Sequence, residues 1–174
     1  MNTKTLIAVL ALAISLQFAA YAQQSEEIIT IYLVRHAEKE LSGENPKDPA
    51  LTACGEERSR QLASFLEEVE LDVIFSTDYL RTKSTALPTS SSKEKVIQFY
   101  DPRKLEEFAA FLINQKQDAL VVGHSNTTAV LAGLLVGDTL GAFDESIYNR
   151  IYQVVIYKDI GRLHVLHTSF NCSE

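Results

Sequence analysis

Short apolar runs alternate along the chain with stretches in which apolar side chains recur every three or four positions. Ile28 to Val34, Asp72 to Ser76, Val96 to Tyr100 and Ala119 to Val122 are rich in β-branched and aromatic residues and too short for ordinary helices. They read as strands, the first of them a fully buried strand of a parallel sheet. Thr52 suits the N-cap of a helix running to about Val69, with Leu62, Phe65, Leu66 and Val69 facing the core. Tyr79 to Leu87 reads as a second helix stopped by Pro88, and Ser90-Ser91-Ser92-Lys93 as a surface connection. Leu105, Phe108, Ala109 and Leu112 mark a third helix from about Arg103 to Gln115. Thr127 to Val136 has little polar face, which predicts a buried fourth helix. Lys39 to Pro49, with one Gly and two Pro, reads as a loop. Ile151 to Tyr157 and Arg162 to Ser169 flank Asp159-Ile160-Gly161 and read as a hairpin at or near a sheet edge. Strands alternating with helices predict an α/β layer fold around a mainly parallel sheet.

The first residues follow a different pattern. Lys4 precedes an almost unbroken apolar run from Leu6 to Ala20, and Ala20-Tyr21-Ala22 places small residues where a signal peptidase reads them. Residues 1–22 are therefore expected to be a secretory signal peptide, and 23–174 the single folded domain, periplasmic or secreted. The run is short for a membrane span, so no stable membrane association is expected after cleavage. The whole chain has 174 residues and a formal net charge of −7, and loss of Lys4 with the leader makes it one unit more negative. An acidic exterior argues against nucleic acid or anionic lipid as a partner, and it requires any anion site to be built from local cations. Cys54 and Cys172 are the only cysteines. Export permits a disulfide between them; two buried or unpaired thiols is the equal alternative. Neither lies in a metal-ligand pattern.

Ligands of such sheets collect at the carboxyl ends of the strands. The first strand runs into Arg35-His36. The second ends in Ser76-Thr77-Asp78, with Arg81 on the next turn. The third ends in Tyr100-Asp101, and the fourth in Gly123-His124-Ser125-Asn126 before a helix starts. Two arginines, two histidines and a carboxylate thus gather at one sheet edge. Arginine offers forked donors matched to phosphate oxygens. A helix N-terminus after Asn126 adds backbone donors. A neutral imidazole is a competent nucleophile toward phosphorus.

Arg35-His36-Ala37-Glu38 resembles the R-H-G/A-x signature of the histidine phosphatase superfamily, the phosphoglycerate-mutase-like group. Leu51-Thr52-Ala53-Cys54-Gly55 is similar to its step into the first helix. Phe75-Ser76-Thr77 followed by Arg81-Thr82 and Thr85-Ala86 resembles its S-x-x-x-R-T-x-x-T-A segment, and Val121 to Thr127 its second histidine motif. The match spans about Ile28 to Val136. The resemblance implies a three-layer α/β/α sandwich and a phosphomonoester hydrolase. In it His36 becomes phosphohistidine, and Arg35, Arg81 and His124 complete the phosphate pocket. Ser125, Asn126 and Glu38 are candidate substrate contacts. No metal or organic cofactor is implied. The expected substrate is a phosphorylated small molecule or a phosphoprotein.

The chain departs from the larger family members in two places. Only about twenty residues separate Tyr100 from Ala119, too few for the cap that often carries the proton-donating Glu. Ser125 stands where the acid-phosphatase branch has Asp. The proton donor is therefore open between Asp101, Glu38 and none, with an N-cap or turn role for Asp101 and a salt bridge for Glu38 as the structural readings. Asp144, Glu145 and Tyr148 are expected in a solvated loop, Tyr148, Tyr152 and Tyr157 as sheet residues, and His164 and His167 as structural. The rival functions are a phosphoglycerate-mutase-type phosphotransferase and a catalytically inactive phosphate-binding module.

Overall fold

The computed structural model describes residues 28–42 and 45–172; the leader expected over 1–22 lies outside them. Six strands form one sheet: β1 (Ile28–Arg35), β2 (Val73–Ser76), β3 (Ile97–Phe99), β4 (Ala119–Gly123), β5 (Arg150–Tyr157) and β6 (Ile160–His167). Four helices connect them: α1 (Ala53–Phe65), α2 (Leu80–Ser92), α3 (Leu105–Gln115) and α4 (Thr128–Val136). The strand order is β3-β2-β4-β1-β5-β6. The first four pair in parallel, β5 runs antiparallel beside β1, and β6 closes the hairpin.

Side chains alternate across each strand, so β1 feeds two cores. Ile29, Ile31 and Leu33 join Phe108, Leu112 and Leu131 on one face; Tyr32 and Val34 join Leu62, Leu66 and Ala86 on the other. Helices α3 and α4 therefore cover one face and α1 and α2 the other, which is the expected three-layer α/β/α sandwich. No helix among the described residues is long and apolar enough to cross a membrane.

Three expectations need correction. Helix α1 ends at Phe65 rather than Val69, and Phe65 is 44% exposed while Leu62 and Leu66 are buried. At 100° per residue, Phe65 falls at the rim of the stripe that Leu62 and Leu66 share. Helix α2 does not stop at Pro88 but runs to Ser92, so the serines form its last turn. Pro88 forfeits the bond to the Ser84 carbonyl, a cost of about 3 kcal/mol. Burial of Ala86 and Thr89 on the sheet side offsets it. The hairpin turn is Lys158–Asp159, both at positive φ. A two-residue turn of this kind follows the strand twist, so β6 starts at Ile160 and not at Arg162.

Helix α1 is also where the loop after β1 and the chain's tail meet. The Thr52 side chain caps α1 by accepting from Gly55 N at 3.0 Å, and Thr52 N donates to the Glu38 carbonyl at 2.9 Å. A Cβ at Gly55 would lie 2.2 Å from that same carbonyl, so only glycine allows the approach. Cys54, on the first turn of α1, forms a disulfide with Cys172 in the tail, 118 residues away. Closing so long a loop restricts the unfolded chain by roughly 4–5 kcal/mol in the chain-entropy account. Cys172→Ser is expected to lower the thermal midpoint by about 10 °C in calorimetry. A shift below about 2 °C would mean that the tail's other contacts hold it alone.

Candidate active site

The site begins with register. Arg35, the last residue of β1, pairs with Gly123, the last residue of β4. The residues that follow, His36 and His124, are therefore neighbours, with ring centroids 5.5 Å apart and edge to face. His36 N extends the ladder to the Gly123 carbonyl at 2.9 Å. Gly123 is required here: a Cβ would lie 2.5 Å from the buried Tyr100 hydroxyl. Arg81, on the first turn of α2 after β2, reaches the same place. Arg35, His36, Arg81 and His124 line one open cavity of about 310 Å³.

Each arginine rests on a tyrosine. The Arg35 guanidinium lies 4.1 Å from the centroid of Tyr148, and Arg81 lies 4.4 Å from that of Tyr79. Aromatic faces of this kind hold a cation by about 0.5–2 kcal/mol. The Arg35 Nη1 atom also donates to the carbonyls of Glu145 and Ile147, and Nη2 to the Tyr148 hydroxyl at 3.4 Å. Arg81 Nη1 is 3.5 Å from Asp48 Oδ1. Yet Arg35 Nε, Arg81 Nε and Arg81 Nη1 are buried without a hydrogen-bond acceptor among the described residues. An orphaned buried donor costs about 1–3 kcal/mol, and more when charged.

The imidazoles are held in defined proton states. His36 is 3% exposed, and its Nδ1 lies 2.7 Å from the Ala37 carbonyl. A carbonyl only accepts, so Nδ1 carries the proton and Nε2 keeps its lone pair. Burial first, then Arg35, His124 and Arg81, lowers the His36 pKa to about 3, against the bond to Ala37. His124 Nε2 lies 3.0 Å from Thr77 Oγ1, which donates to Thr82 Oγ1, which donates to the Thr77 and Tyr79 carbonyls. Followed back from those carbonyls, each hydroxyl has one proton to give, so Nε2 of His124 is the donor. Burial and then Arg81 lower its pKa to about 4.

The α2 motif therefore serves three neighbours of the cavity. Arg81 faces it, Thr82 ends the His124 relay, and Thr85 Oγ1 accepts from Ala37 N at 2.9 Å beside the nucleophile candidate. The donors expected at the start of α4 are partly committed, because Thr127 N and Thr128 N bond the His124 carbonyl. Ser125 and Asn126 do line the cavity.

Glu38 and Asp101 do not join the cavity wall. Arg58 grips both carboxylate oxygens of Glu38 through Nε at 2.9 Å and Nη2 at 2.7 Å, which is the salt-bridge reading with a cation from α1. Arg103 holds Asp101 through Nε at 2.9 Å and Nη2 at 2.8 Å, and its backbone N adds a third bond. These bonds keep Asp101 ionised with a pKa of about 2, so it has no proton to lend near neutral pH. The solvated-loop expectation holds for Asp144 and Glu145, which are exposed, and needs correction for Tyr148. This segment cradles Arg35, Glu145 lines the cavity, and Tyr148 is a stacking platform. Tyr79, Lys39 and Arg103 are further wall residues outside the sequence-based set. An arginine and a tyrosine have no fixed spacing when they stack across elements, so only the topology reveals these pairs.

Two outcomes follow. NMR titration should show both histidines neutral through the usual imidazole range, His124 protonating near pH 4 and His36 near pH 3. Depressed folded values mean that the unfolded chain takes up protons first; stability is full above about 6.5 and falls as pH drops toward those values. An imidazole of either residue titrating near 6.5 would contradict this burial. Separately, Tyr148→Ala should weaken inorganic phosphate binding about tenfold, whereas Tyr148→Phe, which keeps the ring under Arg35, should stay within about threefold. Equal losses in calorimetric titration would assign the effect to the hydroxyl.

Residues 31–110 match the family model described as histidine phosphatase superfamily (branch 1). No curated protein matches the chain by sequence. The solved alpha-ribazole phosphatase from Shigella flexneri is similar with a TM-score of 0.68 at 17% identity, covering 84% of this chain and 100% of that one. The protein histidine phosphatase SixA, complexed with tungstate, gives 0.66 at 19% identity, covering 80% and 97%. A mycobacterial glucosyl-3-phosphoglycerate phosphatase gives 0.64 at 12%, covering 82% and 100%. At these identities the likeness is one of fold, and the matched span carries Arg35, His36 and Arg81. Over residues 31–110 the chain matches the histidine phosphatase superfamily model, and it shares the fold of these solved phosphatases.

Proposed function

We propose that the protein is a phosphomonoester hydrolase that works through a phosphohistidine on His36. One observation carries this reading. A buried imidazole, locked with its proton on Nδ1, lines one cavity with two guanidiniums that each carry a buried nitrogen without an acceptor among the described residues. Arg35 and Arg81 bind the phosphate oxygens. The Nε2 lone pair of His36 attacks phosphorus, the bond to the ester oxygen breaks, and its electron pair leaves with that oxygen, which takes a proton. Water then attacks phosphorus, the N–P bond breaks, and neutral His36 and inorganic phosphate are released. Arg35 and Arg81 are placed for the charge that the transferring group spreads over its oxygens. The reaction as written needs no metal and no organic cofactor.

A binding module would gain from a charged imidazole, since cations attract phosphate. The burial that keeps His36 neutral works against binding and in favour of nucleophilic attack. A mutase-type transfer requires the product to stay and re-orient. The link from β3 to β4 is filled by α3 alone, and the cavity is open, which supports hydrolysis. An open mouth also suits a phosphate on a protruding group, such as a phosphorylated protein side chain, as well as small esters. The apolar leader with its Ala-x-Ala site and the Cys54–Cys172 disulfide support export to an oxidising compartment.

The test is phosphate release from an aryl phosphate by the 23–174 protein in EDTA, beside His36→Ala. Turnover that falls by about 10³-fold or more in the mutant, with a phosphohistidine trapped by acid-free quench in the parent, is the expected result. Equal turnover by both proteins would refute His36 as the nucleophile.

A further inference from the structure

We propose that Glu145 is the general acid that protonates the leaving oxygen. This rests on the hydrolase reading and adds a residue to it. Displacing an alkoxide from phosphorus is slow unless a proton meets the departing oxygen, and a positioned carboxyl supplies about 10²–10⁴-fold. Both carboxylates suggested by the sequence are engaged elsewhere, Glu38 with Arg58 and Asp101 with Arg103. Among the described residues that line the cavity, Glu145 is the only carboxylate. His124 is a poor alternative, because its Nε2–H is committed to Thr77.

The loop that carries Glu145 is built to stay in place. Asp144 accepts from both N and Oγ of Ser146, at 2.7 and 2.6 Å, and Ile147 N returns to the Asp144 carbonyl at 3.1 Å. The Glu145 carbonyl accepts from Arg35, so the residue's backbone is tied to the cation that would hold the phosphate. Glu145 lines the open cavity and is exposed, so its carboxyl can exchange protons with water. In the step, the Glu145 O–H bond breaks as the P–O bond breaks, the proton goes to the ester oxygen, and Glu145 is left as carboxylate. That carboxylate can then take a proton from the water that attacks phosphohistidine, which restores the acid.

The contact to Arg35 uses the backbone of Glu145, so changing the side chain separates chemistry from positioning. Glu145→Gln and Glu145→Ala should keep kcat/KM for 4-nitrophenyl phosphate, whose leaving group needs no proton, within about threefold. For an alkyl phosphate such as β-glycerol phosphate both should lose about 10²-fold or more. Equal losses on both esters would make Glu145 a structural residue. No loss on the alkyl ester, or the same selective loss in Lys39→Ala instead, would overturn the assignment. So would a parent that cleaves the aryl ester but leaves the alkyl ester untouched. A parent inactive on both esters would overturn the hydrolase reading itself, which is a different result from an active parent with an unaffected Glu145→Gln.

Discussion

Parallel pairing of Arg35 with Gly123 is the constraint on which the site depends. It sets the ends of β1 and β4 level, so the next residue of each strand is a histidine beside a histidine. The close approach of Tyr100 to Gly123 and of Glu38 to Gly55 then fixes the two loops that leave those strands. Neither loop has freedom to drift, because each is bonded at its first or second peptide: His36 N to Gly123 O, Ala37 N to Thr85 Oγ1, and His124 N to Thr127 Oγ1. Precision at the site is thus a property of backbone packing, and the reacting side chains inherit it.

The electrostatic state of the site follows from burying like charges together. Arg35 is 4% exposed, in a protein whose overall charge is −7, and Arg81 lies in the same cavity. Their mutual field helps hold the histidines neutral, and their aromatic supports satisfy only part of each guanidinium. The protein carries this as a local deficit of negative charge inside an acidic shell. Anions are repelled at long range and accepted at short range, which favours ligands that fill the cavity over ions that merely approach it.

The sequence made much of this legible, for physical reasons. Strand ends in an α/β sheet collect polar residues for few purposes other than ligands, so Arg35, His36, Arg81 and His124 stood out. Core-facing residues were readable from helical spacing, Leu62 and Leu66 at α1 for one face and Phe108 and Leu112 in α3 for the other, and the α2 motif was readable though its inner contacts, Thr82 on Thr77 and Thr85 on Ala37, were not. Pro88 misled because propensity is local, whereas Ala86 and Thr89 are buried by tertiary contacts. Asp101 misled because an exposed Arg103 two residues away captures it. The 144–148 segment was opaque: a run of acidic and polar residues reads as solvated, and its bonds to Arg35 span 110 residues or more. The disulfide was undecidable for the same reason, since proximity across 118 residues is a product of the fold.

The place of β1 in the sheet has a consequence for assembly. β1 is the first strand in the chain, yet its neighbours are β4 and β5, the fourth and fifth. Ile28 pairs with Tyr157, and Arg58 reaches the Phe170 carbonyl at 3.0 Å. β1 therefore cannot be flanked on both sides until β5, in the last quarter of the chain, has been synthesised. Early fragments would present β1 as an apolar strand with two open edges, the kind of surface that pairs with other chains. The topology makes the site one of the last parts of the molecule to be completed, and a chain that is cut short or still being translated has the motif without the pocket.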